Sequence, residues 1–394
     1  MAVAGVIAEY NVFHLGHAWQ LSEVRRRLGA DTAAVVCMSG NFVQRGDFAL
    51  FDKRARAETA LRGGADLVLE LPTPWASAAA ERFAAGGVAV LAGTGVVTHL
   101  VFGCECGELA PLRQAADGLD DPRYHTELRR FLGEGMTFAA ARQAALGVLI
   151  GDAARCLASP NNALAVEYLR ALKDCGMIPV ALPRSGAGHD SLEPGPYLSA
   201  SAIRAKILSG MDWRLYVPQS TAEVLEREIS QGRGPVTMAA SERAVLARLR
   251  TMPEEAFFPY DGGNEGLYHR FYHAVRSAAG LDAVLAAAKT KRYPLARLRR
   301  MLLHSYLDVR TPAKGETPPC LRVLGANAAG RRLLSSMRKR ALLPVLTKPG
   351  SVRRLDGDAK RVFEQESRYT DLYTLSYPEL LPPGSEYRTG PVLL

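Results

Sequence analysis

Two histidines three residues apart, His14 and His17, flank Gly16 directly after a short apolar run, VAGVIA (3–8). Imidazoles so placed can donate hydrogen bonds to phosphate oxygens where charge builds up in a transition state. Glycine between them lets a ligand come close to the backbone. A second group, in YLSASAIRAKIL (197–208), puts Ser199, Ser201 and Arg204 at the start of a helix. Serines there cap the helix or bind phosphate, and an arginine one turn on can fork to a phosphate. Alone, S-x-S-x-x-R reads equally well as plain N-capping with a surface arginine. Combined with H-x-G-H it describes a nucleotide site.

The elements that must position these residues follow from periodicity. VAGVIA reads as a strand and HAWQLSEVRRRLG (17–29) as a helix closed by Gly29. The histidines therefore stand at a strand-to-helix turn, where the helix N-terminus favours anions. Strands are expected at 32–40, 65–72, 98–103 and 177–184, and helices at 53–65, 76–95 and 163–176. This alternation predicts a Rossmann-like α/β domain: a parallel sheet with helices on both faces and ligands at the carboxyl ends of its strands. Beyond about residue 215 the alternation gives way to helical patterns at 241–252, 264–278, 281–290 and 294–307. The expected organisation is thus a nucleotide-binding α/β domain over 1–220 and a mostly helical, basic domain over 221–394.

Charge separates the two parts. Residues 1–240 carry 23 Lys and Arg against 25 Asp and Glu, whereas residues 241–394 carry 26 against 15. All of the positive excess lies in the second part, which points to a polyanion partner there. Lys289, Lys291, Arg292, Arg297 and Arg300 are the candidate RNA-phosphate contacts, joined by Arg299, Arg331, Arg332, Arg338, Lys339 and Arg340. Tyr293 among them could stack on a base. An apolar share of 48% with 23% charged residues excludes a disordered chain. The N-terminus has no signal-peptide pattern and no apolar run is long enough to span a membrane. Six dispersed cysteines suit reduced thiols in the cytoplasm. Cys104 and Cys106 lack the further ligands that a metal needs, so no metal site is assigned.

The H-x-G-H loop, the late S-x-S-x-I-R helix and the blocks CMSGNFVQRGDFALFDKRARAETALRGGADLVLELP (37–72), FGCE (102–105), SPNNALAVEYLRAL (159–172), LPRSGAGHD (182–190), 286–307 and 320–334 resemble the bacterial tRNA(Met) cytidine acetate ligases over nearly the whole chain. Those enzymes lie within the nucleotidyltransferase superfamily. The resemblance implies that ATP and acetate form acetyl-adenylate and pyrophosphate. The acetyl group then passes to N4 of the wobble cytidine of elongator tRNA(Met), giving N4-acetylcytidine. The chemistry of the residues themselves puts catalysis on His14 and His17, which would stabilise the pentacoordinate phosphorus, and on Ser201 and Arg204, which would hold the departing β,γ-phosphates. The resemblance maps nucleotide contacts onto Ile7, Ala8, Glu9, Tyr10, Asn11, Phe13, His14, Gly16, His17 and Gln20. Further contacts fall on Gly103, Asn161, Asn162, Arg184, Ser199, Ser201 and Arg204. Magnesium is expected with ATP, because it bridges phosphates using few protein ligands. This chain has Val12 and Leu15 where the family usually has proline and asparagine. The first change frees a fixed φ, and the second removes a polar contact.

Other residues divide between chemistry and structure. Gln44, Arg45 and Lys53, after the second strand, are read as functional. Asp66, His99 and the aromatic stripe Tyr268, His269, Phe271, Tyr272 and His273 are read as structural. From the residues alone, a small-molecule adenylyltransferase remains the alternative, as does a non-catalytic RNA-binding protein.

Overall fold

Short β-branched and small residues make Val3–Ala8 a strand, β1. In a computed structural model, which describes residues 2–183, 198–261 and 266–394, it lies inside the main sheet. The chain continues through α1 (Leu15–Leu28), β2 (Ala33–Ser39), a small hairpin of β3 (Phe42–Val43) and β4 (Asp47–Phe48), α2 (Lys53–Arg62) and β5 (Leu67–Leu71). Then come α3 (Thr73–Ala76), α4 (Ala80–Gly93), β6 (His99–Cys104), α5 (Leu109–Leu119), α6 (Pro122–Gly133), α7 (Phe138–Ile150), α8 (Pro160–Ala171), β7 (Ile178–Pro183) and α9 (Ala200–Leu208). The helical part holds α10 (Gln219–Ser230), α11 (Glu242–Thr251), α12 (Leu267–Ser277), α13 (Leu281–Ala288) and α14 (Leu295–Leu307). The chain ends with β8 (Leu321–Ala326), α15 (Ala328–Arg340), β9 (Val345–Leu346), α16 (Gly357–Thr374) and β10 (Val392–Leu393).

Strands β5, β2, β1, β6 and β7 lie side by side and parallel. In chain order this is the doubly wound 3-2-1-4-5 arrangement, which reverses between β1 and β6 and opens a crevice there. Every residue of β2 and β5 is buried, as expected of a sheet covered on both faces. The expected strands and helices of this region recur within a few residues of their sequence bounds. Two features were not foreseen. Helices α5 to α7 fill a stretch that gave no sequence assignment. And the late chain returns to the sheet: β8 pairs antiparallel with β5, and β10 and β9 pair with β8. The sheet is therefore mixed, and a division at residue 220 does not separate its strands.

The helical core reaches the sheet domain at the β3–β4 hairpin. Phe42 and Phe48 belong to the helical core with Phe257, Phe271, Tyr306 and Tyr373. The hairpin turn needs Gly46, at φ 75°. A Cβ there would lie 2.3 Å from the Arg300 backbone nitrogen on α14. Gly46→Ala therefore lowers thermal stability by about 2 kcal/mol or more, from strain and a forced separation of hairpin and helix. An unchanged melting temperature would disprove this seam.

A buried charge cluster ties the late chain to the early sheet. Lys53 is fully buried, with Nζ 2.6 Å from Glu70 and 2.9 Å from Glu386. Arg54 and Arg322 also pair with Glu386. The expectation of a functional Lys53 is thus corrected: its ammonium is sealed among carboxylates. Glu366, on α16, accepts from the Thr73 backbone N–H at 2.6 Å and its hydroxyl at 2.8 Å. Burial, with Glu70 nearby, pushes the Glu366 carboxyl up to about 7. A carboxyl that folds as the neutral acid takes up a proton on folding. Its contribution is therefore fully present below the ordinary carboxylate range and is lost as pH rises toward 7. Melting temperatures at about pH 5 and about pH 7.5 should show a smaller alkaline drop for Glu366→Gln than for the wild type. Equal drops would contradict this protonation.

Asp66 is structural, as read: it accepts from Ala34 N, Arg25 and Asn327. His99 bonds Thr98 Oγ1 through Nδ1 at 2.8 Å. Phe271 lies in the core, with Tyr268 and Tyr272 packed against it. The six cysteines form no disulfide.

Candidate functional site

The loop after β1 is fixed from several sides. Arg56, fully buried on α2, donates to the carbonyls of Glu9, Ser39, Gly40 and Phe51. One guanidinium thus holds the turns after β1 and β2 together. The Glu9 carboxylate accepts from Gln44 N at 2.7 Å, and Asn11 Oδ1 from Leu50 N at 2.9 Å. Val12 is fully buried against Leu50, Phe51, Leu198 and Ile203. At the position where proline is usual in the resembling family, apolar packing holds the loop. Leu15 opens α1.

His14 is the N-cap of α1. Its Nδ1 accepts from Gly16 N at 3.0 Å, and His17 Nδ1 accepts from His14 N at 3.3 Å. A neutral imidazole accepting at Nδ1 carries its proton on Nε2, so both rings present an Nε2–H donor. The rings stack, with centroids 3.7 Å apart and planes 26° from parallel. Gly16 is required beside them, since a Cβ would sit 2.9 Å from His14 Cε1. Tyr10 and Phe13 are core residues whose rings lie 4.7 and 5.6 Å from His17. They seat the imidazole rather than line an open surface. Ile7 and Ala8 end β1, and Gln20 is half-buried further along α1.

Helix α9 docks onto this loop. Ser199 caps it, its Oγ accepting from Ala202 N at 3.2 Å. Arg204 donates to the Asn11 carbonyl and, at 3.0 Å, to Ser201 Oγ. Ser201 thus orients the arginine, and the arginine binds the loop. Burial pushes the pKa of Arg204 down, while Glu9 and Asp47 raise it and Arg45 lowers it. Burial also raises Asp47, opposed by its bond from Phe48 N and by Arg299 and Arg204. Asp47 thus feels both α9 and basic α14. The sequence reading passed over it, because nothing local marks a hairpin aspartate as lying between two distant helices.

Gly103 lies near the end of β6, opposite Leu182. In the next turn, the Glu105 carboxylate accepts from Asn161 Nδ2 at 2.6 Å and Asn162 N at 2.9 Å, which neutralises the positive end of α8. Asn162 returns the contact, its Oδ1 accepting from Glu105 N at 2.8 Å and Cys106 N at 3.3 Å. The asparagine pair therefore holds the FGCE turn beside the β1 loop. Arg184 lies outside the described residues.

The basic residues divide by element. Lys289, Lys291 and Arg292 are exposed between α13 and α14, whereas Arg297 and Arg300 are half-buried on α14. Arg331, Arg332, Arg338, Lys339 and Arg340 are exposed on α15, which packs on β2, β5 and β8 instead. Tyr293 is not a stacking platform for a base. It is buried in the helical core, with the Arg292 and Arg297 guanidiniums 5.7 and 5.4 Å from its ring centroid. Among the described residues, no group of three His, Cys, Asp or Glu side chains could hold a metal. No helix described is long and apolar enough to cross a membrane.

Known proteins share this arrangement. The family model described as HIGH nucleotidyl transferase matches residues 1–385. The tRNA(Met) cytidine acetate ligase of Syntrophomonas wolfei is 35% identical, with 100% of this chain and 99% of that protein covered. Its namesake from Caldanaerobacter subterraneus is 38% identical over 96% of each. The apo crystal structure of Thermotoga maritima TmcAL superposes with a TM-score of 0.94 at 32% identity, covering 100% of both chains. A second structure of TmcAL, bound with alpha-thio ATP, gives 0.92 at 33% identity and covers 100% of this chain and 99% of that one.

Proposed function

The chain belongs to the HIGH nucleotidyl transferase family, among its tRNA(Met) cytidine acetate ligases, and on that premise we propose that it acetylates tRNA using ATP and acetate. An acetate oxygen attacks the α-phosphorus of ATP, and the bond to the departing pyrophosphate breaks, leaving acetyl-adenylate. N4 of the wobble cytidine of elongator tRNA(Met) then attacks the acetyl carbon. AMP leaves, the nitrogen loses a proton, and N4-acetylcytidine remains. The observation that carries this reading is the stacked His14–His17 pair at the switch point of the sheet. Its two Nε2–H groups stabilise charge on the α-phosphate as it becomes pentacoordinate. Arg204, held by Ser201, lies beside the same loop and takes the phosphates that leave.

ATP brings magnesium with it. Such an ion is held mainly by the phosphates and needs few protein ligands. The exposed cations between α13 and α14 bind RNA phosphates, and their affinity falls as salt rises. The reaction takes place in the cytoplasm, where tRNA, ATP and acetate coexist.

Isotope exchange between pyrophosphate and ATP tests the first half-reaction. Exchange that requires acetate and needs no RNA is expected. Exchange that proceeds only with a phosphate ester as acceptor would replace this reading with a small-molecule adenylyltransferase.

A further inference from the structure

A cavity of about 860 Å³ lies between the turn joining α6 to α7 and the start of α14. That is within the ~300–1,000 Å³ range of pockets that hold small ligands. Its two walls differ in chemistry. One is apolar and open to solvent: Leu132, Met136 and Phe138 are 38%, 36% and 60% exposed. Phe138 heads α7, whose N-cap is Thr137. Solvating a phenylalanine to that extent has a cost that packing does not explain. The facing wall is basic, with Lys291, Arg292, Arg297 and Arg300. Asp261, the one carboxylate among the described lining residues, is held by Arg297 at 3.2 Å. Lys291 and Arg300 have no acidic partner among the described residues, and burial together with Arg297 pushes the pKa of Arg300 down. An anion seated there would relieve both effects. At the inner side stands buried His304. Its Nε2 meets the Ser77 carbonyl at 3.1 Å, so that nitrogen carries the proton.

A wall of exposed aromatic and aliphatic side chains facing Lys291 and Arg300 is what an unstacked nucleotide requires. We infer that this cavity receives one unpaired nucleotide of the RNA substrate, its base against Phe138 and Met136 and its phosphates toward Lys291 and Arg300. The inference rests on the tRNA reading above and adds to it a second, non-reacting nucleotide position. None of the lining residues belongs to the H-x-G-H loop or to α9. The two sites are joined through one seam, since the Arg299–Arg300 backbone abuts Gly46, next to Asp47. Seating a flanking nucleotide in the cavity would thus fix the position of the loop that carries the target cytidine.

The test compares the full-length wild type with Phe138→Ala, Phe138→Trp and Lys291→Ala. Binding to tRNA is measured over a salt series, alongside acetate-dependent ATP–pyrophosphate exchange. Phe138 is exposed, so the folded state tolerates its loss. Phe138→Ala should weaken tRNA binding roughly tenfold, the worth of one base–aromatic stack, with exchange unchanged. Phe138→Trp should retain affinity. Lys291→Ala should weaken binding and reduce the salt slope by about one. Wild-type affinity in Phe138→Ala, or a Phe138→Trp no better than Phe138→Ala, would overturn the inference while leaving the tRNA reading intact. A wild type that binds no tRNA would overturn both. A free mononucleotide that binds wild type but not Phe138→Ala, with tRNA affinity equal in both, would make the cavity an effector site and also overturn it.

Discussion

His17→Ala lowers the turnover of acetate-dependent pyrophosphate release by about 10²–10³-fold, the usual effect of removing one donor aimed at developing charge. The KM for ATP changes far less, because the Nε2–H bond strengthens only as the α-phosphate gains charge. The substitution also deletes a cap, since His17 Nδ1 accepts from His14 N. A lost cap costs about 1 kcal/mol, too little to explain the fall in rate. His17→Gln separates the two effects. Glutamine at the third helical position restores an acceptor for the N-cap N–H but offers no imidazole. It should fold as the wild type does and turn over as slowly as His17→Ala. A His17→Gln enzyme near the wild-type rate would reduce the histidine to a helix cap.

Lys53→Met is the largest expected loss of stability. It leaves Glu70 and Glu386 buried without the ammonium that lies 2.6 and 2.9 Å from them. Breaking one partner of a buried ion pair typically costs about 3–5 kcal/mol, a fall of roughly 4–6 °C in melting temperature for a chain of this size. Adding Glu70→Gln should recover part of the loss, because the two side chains touch and their effects couple. A loss of less than about 1 kcal/mol would mean that water or Arg322 satisfies the carboxylates unaided.

These two residues also mark what the sequence made legible. The place of the histidine pair was readable because it is set locally: strand, turn, glycine and helix start follow one another within one segment. The Ser199–Arg204 helix was readable for the same reason. Lys53 was misread because its meaning depends on Glu70, Arg322 and Glu386, which the fold gathers from three separate parts of the chain. Strand β8 was missed similarly. CLRVLG has strand character, but nothing local says that it pairs with β5 rather than belonging to the helical part. Tyr293 looked like a stacking residue because it lies among cations. Its place before α14 instead puts the ring in the core and spreads two guanidiniums over it. Nothing local marks Arg56, yet it is the staple of the loop after β1. In each case the deciding partners came from elements far away in the chain.

The most direct measurement is incubation of the purified protein with isotopically labelled acetate, ATP, magnesium and a mixed tRNA pool, followed by nucleoside analysis of the RNA. The account predicts label in N4-acetylcytidine at the wobble position of elongator tRNA(Met), formed about 10²–10³-fold more slowly by His17→Ala. Label that stays in small molecules, while pyrophosphate is still released, would contradict it.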